Sequence, residues 1–230
     1  MIDIHTHILP NIDDGCESVE EAVELLKEEY KYGVKKVILT PHCRKNEFDY
    51  TKQNLIDKFN NFVSQVKDIS EIPSLYLGQE IFCESDIYNK IESNKIITLN
   101  NSKAILIEFS TVDDYDIADF VYNLKVMGYI PIVAHVERYK YLDEIKIANI
   151  KNDGGLIQVN AETLIGIRGL SAKKYALKLI KLGLVDFISS DMHYGRINTI
   201  KKAYKIVKHK FGSKKAEELF NLNAQKYIFN

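Results

Sequence analysis

Residues 1–15 read MIDIHTHILPNIDDG. An apolar start, two histidines one residue apart, then two adjacent aspartates and a glycine make an unusual opening for a core strand. The bland reading is a buried strand with a few polar residues, followed by a turn in which an Asp side chain bonds its own backbone. The alternative is the edge of a metal site. Side chains at i and i+2 of a strand point the same way, so His5 and His7 would face one point. The rest of the chain decides between these readings.

Apolar runs and helical patterns alternate along all 230 residues. Strands are expected at Ile2–His5, Lys36–Thr40, Ser74–Glu80, Ala104–Glu108, Pro131–His135, Leu156–Asn160 and Val185–Ser190. These short Ile-, Val- and Leu-rich runs with little polar alternation suit parallel strands buried on both faces. Helices are expected between them: from Ser18, where Ser18 and Glu21 form a capping box, and over Thr51–Lys67, Asp114–Met127, Tyr139–Asn152 and Ser171–Leu182. Three more close the chain, Asn198–Lys210, Ser213–Phe220 and Leu222–Phe229. No linker, low-complexity tract or repeat interrupts the pattern. Seven βα units argue for a closed or nearly closed barrel in a single domain, 1–230; the pattern alone leaves an open doubly wound sheet as the alternative.

The polar residues fall at the C-terminal strand ends, where α/β barrels carry their active sites. His5 and His7 end the first strand, His42 the second, Glu80 the third; Glu108 closes the fourth, His135 the fifth, Asn160 the sixth, and Asp191 with His193 the seventh. Five of the six histidines stand at strand ends, and His209 alone falls on a helix, where a solvated face is the natural reading. A single such histidine would be a hydrogen-bonded structural residue. Five beside Glu80, Glu108 and Asp191 are hard to bury without a cation. With Asp14 of the DDG turn the candidate ligands are His5, His7, Asp14, His42, Glu80, Glu108, His135, Asp191 and His193; Asp13 is left to the turn. Nitrogen and oxygen donors without thiolate suit two or three divalent ions such as Mn²⁺, Fe²⁺ or Zn²⁺.

Clustered divalent cations generate hydroxide near neutral pH and clamp oxyanions, which is the chemistry of phosphate ester hydrolysis. The arginines agree. The chain strongly prefers lysine and holds only Arg44, Arg138, Arg168 and Arg196. Three of them follow a candidate ligand by two or three residues: Arg44, Arg138 and Arg196. Any one could be a surface ion pair, but arginine grips phosphate in a bidentate way that lysine does not. Cysteine-based phosphatase chemistry requires an arginine six residues after the nucleophile, and Cys16, Cys43 and Cys83 are followed there by Ala22, Asp49 and Asn89. No CxxC, GxSxG or GxxxxGK[ST] pattern is present. A net charge of −1 and a pI near 6.6 give no general footprint for nucleic acid or membrane. No apolar run reaches membrane-spanning length and no leader pattern opens the chain, so a cytoplasmic protein is expected.

HTH after an N-terminal strand, DDG, TPH, two strand-end glutamates, AHVERY and SDMH together resemble the polymerase and histidinol phosphatase (PHP) superfamily. MIDIHTHILPNIDDG, LTPHCRKNEF and QVNAETLIG are similar to its bacterial tyrosine-protein phosphatase branch of capsular and extracellular polysaccharide synthesis. The resemblance covers essentially the whole chain. It implies a distorted, TIM-barrel-like (β/α)₇ fold and a trinuclear site usually run with Mn²⁺. His5, His7, Glu80 and Asp191 would hold one ion, Glu80, Glu108 and His135 a second, and Asp14, His42 and His193 a third. Arg138 and Arg196 would grip the phosphate; Arg44 is added from position alone. The substrate implied is phosphotyrosine, commonly in the C-terminal tail of a membrane-associated tyrosine kinase, attacked in line by a hydroxide bridging the metals. The runner-up is a small-molecule PHP phosphatase such as one for histidinol phosphate. A TatD-like nuclease does not call for His42 or Asp14 in the same way, and a non-catalytic phosphotyrosine-binding regulator would be expected to have lost ligands.

Overall fold

A computed structural model of the chain describes residues 1–48 and 50–230. The described residues contain nine β-segments: β1 (Ile2–Thr6), β2 (Lys36–Leu39), β3 (His42–Cys43), β4 (Ser74–Leu77), β5 (Glu80–Phe82), β6 (Ala104–Glu108), β7 (Ile130–Val133), β8 (Leu156–Asn160) and β9 (Phe187–Ser189). All pairings are parallel, in the orders β1-β2-β4 and β3-β5-β6-β7-β8-β9. The two sheets are one. β2 runs into β3 through Pro41, which has no N–H to give a ladder, and β4 into β5 through Gly78. The Gly78 N–H still donates to the Leu39 carbonyl at 2.9 Å, and the Glu80 N–H to the Pro41 carbonyl at 3.1 Å. The ring closes where the Asp191 N–H meets the His5 carbonyl at 3.0 Å and the His7 N–H meets the Met192 carbonyl at 2.8 Å. Seven strands therefore form a distorted (β/α)₇ barrel, and the open-sheet alternative falls away.

Nine α-helices among the described residues cover the outside: α1 (Val19–Lys31), α2 (Lys52–Val66), α3 (Ile87–Glu92), α4 (Ile117–Val126), α5 (Glu144–Asn152), α6 (Ala161–Ile165), α7 (Leu170–Lys181), α8 (Ile200–Glu217) and α9 (Asn223–Ile228). The short α3 and α6 were not expected from the pattern. α5 starts at Glu144 rather than Tyr139, because residues 136–138 make a 3₁₀ turn and Asp143 caps the Lys146 N–H at 2.8 Å. Ser18 caps α1 as expected, but Glu21 reaches the Glu17 N–H instead of closing the box on Ser18. A reciprocal box does form at Thr51 and Asn54 on α2. Gly212, at φ +89° and non-helical, separates two helical stretches within α8, at the break expected between Lys210 and Ser213.

Period-2 alternation splits the strand residues between two apolar layers. Ile105 and Ile107 of β6 join the layer packed under the helices, whereas Ala104 and Leu106 join Ile2, Ile4, Ile38, Ile132 and Phe187 inside the barrel. Leu99, Ala224 and Ile228 belong to the same interior cluster. A Cβ on Gly78 would lie 2.5 Å from a Leu99 methyl, so glycine lets that plug seat. The barrel is thus filled with hydrocarbon below and leaves only its upper mouth polar.

Leu106 is fully buried in this interior layer. Leu106→Ala should lower stability by roughly 2–5 kcal/mol, the usual cost of a buried Leu cavity. Equilibrium urea unfolding measures it, and a loss below about 1 kcal/mol would contradict a sealed interior.

Candidate metal centre

Three backbone departures turn ionisable side chains into the mouth. β1 breaks register between Asp3 and Thr6, and that irregularity brings His5 and His7 inward although Ile2 and Ile4 already point inward. His135 and Asp191 adopt positive φ, +31° and +53°. Left-handed backbone is costly for residues with a Cβ and collects at functional sites. Glu80, Glu108 and Asn160 need no such device, since they continue the inward phase of their strands.

The result is a dense polar cluster. His5 Nε2 and His7 Nε2 stand 3.2 Å apart; Glu80 Oε1 is 3.3 Å from the first and Glu80 Oε2 3.4 Å from the second. Asp191 Oδ1 lies 3.6 and 3.5 Å from the same two nitrogens. His135 Nε2 is 2.9 Å from Glu80 Oε1 and 3.6 Å from Glu108 Oε1. Asp14 Oδ1 sits 3.6 Å from His42 Nε2 and 3.5 Å from His193 Nε2. Donor atoms within 4.8 Å of one another define three overlapping groups: His5, His7 and Glu80; His42, Glu80 and Glu108; and His7, Asp14, His42 and His193. These groups hold seven of the nine candidate ligands, and His135 and Asp191 join them through the contacts to Glu80, Glu108, His5 and His7 above, so all nine candidates stand in one cluster. Glu80 Oε2 and Glu108 Oε2 are buried with no hydrogen-bond partner; His42 Nδ1 is 2.9 Å from the former without hydrogen-bond alignment. Carboxylate oxygens orphaned among imidazoles fit divalent cations.

Arg138 and Arg196 reach the same place, their Nη1 atoms 4.0 and 3.8 Å from Asp191 Oδ2. Arg44 does not converge on Asp191. It stacks over Phe82 at 4.1 Å and pairs with Glu47 at 3.3 Å, so its proposed anion role has no geometric support. Arg168 pairs with Glu162, as a surface arginine would.

A second layer went largely unread in the sequence. Asp13, assigned to the turn, also accepts from His7 Nδ1 at 2.7 Å and from the His42 N–H at 3.0 Å. It fixes the His7 tautomer so that Nε2 faces the centre. Gly15 lets the DDG turn press on the first strand, for a Cβ there would lie 1.8 Å from the His7 carbonyl oxygen. Gln158 Oε1 accepts from the His135 N–H at 2.6 Å and lies 3.3 Å from His5 Nδ1. Because a backbone N–H only donates, the Gln158 amide orientation is fixed: its Nε2 donates to Asn160 Oδ1 at 2.8 Å, and Asn160 Nδ2 donates to Asp191 Oδ2 at 2.7 Å. One relay thus orients ligands on three strands. The i, i+2 rule that grouped His5 with His7 would have found Gln158 two residues before Asn160.

Electrostatics follow from burial against pairing. Burial pushes the His5 and His7 imidazoliums down, but Glu80 and Asp191 around the first, and Asp13 and Glu80 around the second, raise both above the usual range. Burial would raise Glu80, yet His5, His135 and His42 hold it well below the ordinary carboxylate range. The same contest leaves Asp13 lowered by His7 and His42, and Asp191 lowered by His5 and His7. Asp14 is lowered by the hydrogen bond from His193. Burial and then Glu80 repulsion raise Glu108. Burial lifts the Cys16 and Cys83 thiols to about 12 and raises Cys43, which keeps all three protonated and poorly nucleophilic.

A parallel barrel that gathers imidazoles and carboxylates at its strand tips is the architecture of the metal-dependent hydrolase barrels. Residues 1–229 match the family model "Capsular polysaccharide synthesis, CpsB/CapC", and the chain belongs to that family. It is 34% identical over 240 residues to tyrosine-protein phosphatase CpsB of Streptococcus agalactiae, covering 100% of this chain and 99% of that protein. It is 29% identical over 223 residues to tyrosine-protein phosphatase YwqE of Bacillus subtilis, covering 93% and 86%. A solved structure from work on YwqE of Bacillus subtilis and CpsB of Streptococcus pneumoniae, described as unique metal-dependent tyrosine phosphatases, superposes with a TM-score of 0.92 at 26% identity, covering 100% of this chain and 95% of that one. A histidinol phosphate phosphatase of Lactococcus lactis shares the fold alone, with a TM-score of 0.56 at 12% identity.

Two outcomes follow for the centre. With chelator present, the raised His5 and His7 stabilise fully below about pH 6.5 and lose that contribution as pH rises through their folded values. The depressed Glu80, Asp13 and Asp191 stabilise above about pH 4 and lose it as pH falls through theirs. Chelated protein should therefore melt highest in a window of roughly pH 4.5–6.5 and lower at pH 8. Excess Mn²⁺ should erase the alkaline decline, because the cation replaces those protons; melting curves that fall equally with and without Mn²⁺ would refute this. Separately, Asn160→Leu and Gln158→Met should fold yet bind Mn²⁺ about 10–100-fold more weakly, as outer-layer losses do. Equilibrium dialysis with elemental analysis decides, and wild-type affinity in both would deny the relay its role.

Proposed function

We propose that residues 1–230 act as one phosphatase domain that hydrolyses phosphotyrosine in proteins with the help of two or three divalent cations. The observation that carries this reading is the convergence of nine metal-type donors and two arginines on one mouth, in a chain of the CpsB/CapC family. His5, His7, Glu80 and Asp191 would hold one ion, Glu80, Glu108 and His135 a second, and Asp14, His42 and His193 a third. Mn²⁺ suits these hard and borderline donors, with Fe²⁺ or Zn²⁺ as alternatives. When bound, such cations supply a hydroxide near neutral pH and neutralise phosphate oxygens.

The protein's own groups do the rest. Arg138 and Arg196 share one carboxylate oxygen of Asp191 and are a third or more exposed. An entering phosphate would turn both forks onto its equatorial oxygens and hold them as charge builds. Asp13 and the Gln158–Asn160 pair fix the imidazole and carboxylate faces, so little reorganisation is required on binding. Tyrosinate, with a parent pKa near 10, leaves more readily than an aliphatic alkoxide. The mouth is open, with Asp14 at 55% exposure, which favours a side chain presented by a protein over an engulfed metabolite. The names of the relatives support the same substrate. We assign as partner the tail of a membrane-associated tyrosine kinase controlling capsular or extracellular polysaccharide synthesis. The cytoplasm, where such a tail meets ATP and where free cysteines persist, is the compartment this reading requires.

The test is steady-state hydrolysis of a phosphotyrosine peptide and of histidinol phosphate, with Mn²⁺ and with chelator. Peptide turnover should dominate, vanish on chelation and survive iodoacetamide. Arg138→Ala and Arg196→Ala should each lower kcat by about 10²–10³-fold, the usual cost of one transition-state donor. Faster turnover of histidinol phosphate, or activity that outlasts chelation, would overturn the assignment.

A further inference from the structure

The whole-chain charge of −1 conceals a strong segregation. Helix α8 carries Lys201, Lys202, Lys205, Lys208, Lys210, Lys214 and Lys215 against one acid, Glu217. Seven lysines and one glutamate make the segment +6, so the remainder of the chain carries −7. Ile200, Ala203 and Val207 turn inward and are buried, while Lys201, Lys202, Lys205, Lys208 and His209 spread over the opposite, exposed face. Among the described residues only Lys215 of the seven has an ion-pair partner, Glu218 at 2.8 Å. Lys201 does no more than lie 5.6 Å from the Tyr32 ring. Elsewhere on the surface, lysines such as Lys90, Lys146, Lys151 and Lys178 do find carboxylates.

We infer that this face of α8 docks the protein on an anionic bilayer surface. Four to eight lysines on an amphipathic helix match the charge of acidic headgroups and act additively within a Debye length of them. None of the five best-formed cavities among the described residues is lined by an α8 lysine, so the lysines spread over an outer surface of the kind a bilayer meets. Ile197, in the loop just before the helix, is 70% exposed and adds an apolar side chain near the N-terminal end of the lysine-rich segment. The acidic remainder is repelled by the same surface, which selects one orientation. The helix begins just after the loop that holds His193 and Arg196, so docking brings the metal-type mouth to the edge of the contact. Membrane attachment here is peripheral, since no described helix is long and apolar enough to cross a bilayer.

The inference does not depend on the phosphatase reading, and its readout is binding. Purified protein is sedimented with vesicles of phosphatidylcholine alone or with about 30% phosphatidylglycerol, at roughly 0.05 and 0.5 M salt. Co-sedimentation is expected only with the anionic vesicles at low salt. Since each lysine near such a surface is worth about fivefold in partitioning, Lys201→Glu/Lys205→Glu/Lys208→Glu should reduce it by at least ~100-fold. Among the described residues, none of these three lysines contacts a candidate ligand, Arg138 or Arg196, so p-nitrophenyl phosphate turnover and melting temperature should stay unchanged; the triple Gln variant repeats the test with milder substitutions. Absence of binding to anionic vesicles, an undiminished triple variant, or retention on polyglutamate or RNA without vesicle binding would overturn it.

Discussion

The structure depends on one electrostatic constraint: anionic and imidazole groups are held closer together, at the barrel mouth, than they would stay unaided. Glu80 is the point of greatest demand. Its two oxygens face His5, His7, His42 and His135 within 3.4 Å, and Glu108 and Asp191 stand close behind. Protonated histidines can balance that charge only until the pH rises through their raised titration range, and Glu80 Oε2 and Glu108 Oε2 still lack partners. Cations satisfy the same oxygens without requiring the imidazoles to be charged. The apolar interior below, from Ile2 to Ile228, makes the demand sharper, because water cannot reach the cluster from beneath.

That constraint explains why a regular barrel would not serve. Strict alternation would send His5 outward after Ile4, and His135 outward after Ala134. The irregularity in β1 and the left-handed backbone at His135 and Asp191 trade local strain for convergence. At Pro41 and Gly78 the strands are interrupted, but the ladder continues through the Gly78 and Glu80 amides, so His42 and Glu80 remain in the barrel wall. Distortion of the barrel and assembly of the centre are thus the same structural fact.

Much of this was legible in the sequence. Strand runs and helical stripes gave seven βα units, and histidines confined to strand ends marked the mouth. The i, i+2 argument paired His5 with His7 correctly, although the backbone reaches that outcome through an irregularity the pattern does not encode. What stayed hidden was context. Asp13 satisfies a turn and a histidine at once, so its ordinary role masked the other. Arg44 shares the sequence spacing of Arg138 and Arg196, but an aromatic face and a nearby glutamate draw its side chain away. Gln158 sits mid-strand and carries no charge, and only the fold brings its amide between His135 and Asn160. Short α3 and α6 have too few turns for a periodic stripe.

Averages hid the rest. A net charge of −1 is the sum of a lysine helix and an acidic remainder, and the two have different physical consequences at different places on the surface. Coulomb interactions between exposed groups fade over about 10 Å at ordinary ionic strength, so a partner senses the face it meets rather than the total. The acidic groups of the mouth, Asp14 apart, are buried and engaged with the imidazoles around them, whereas six of the seven α8 lysines are exposed and have no ion-pair partner among the described residues. Only the exposed set is left with charge to offer an external surface, and for that reason the folded distribution, not the composition, determines how this barrel is oriented towards what it meets.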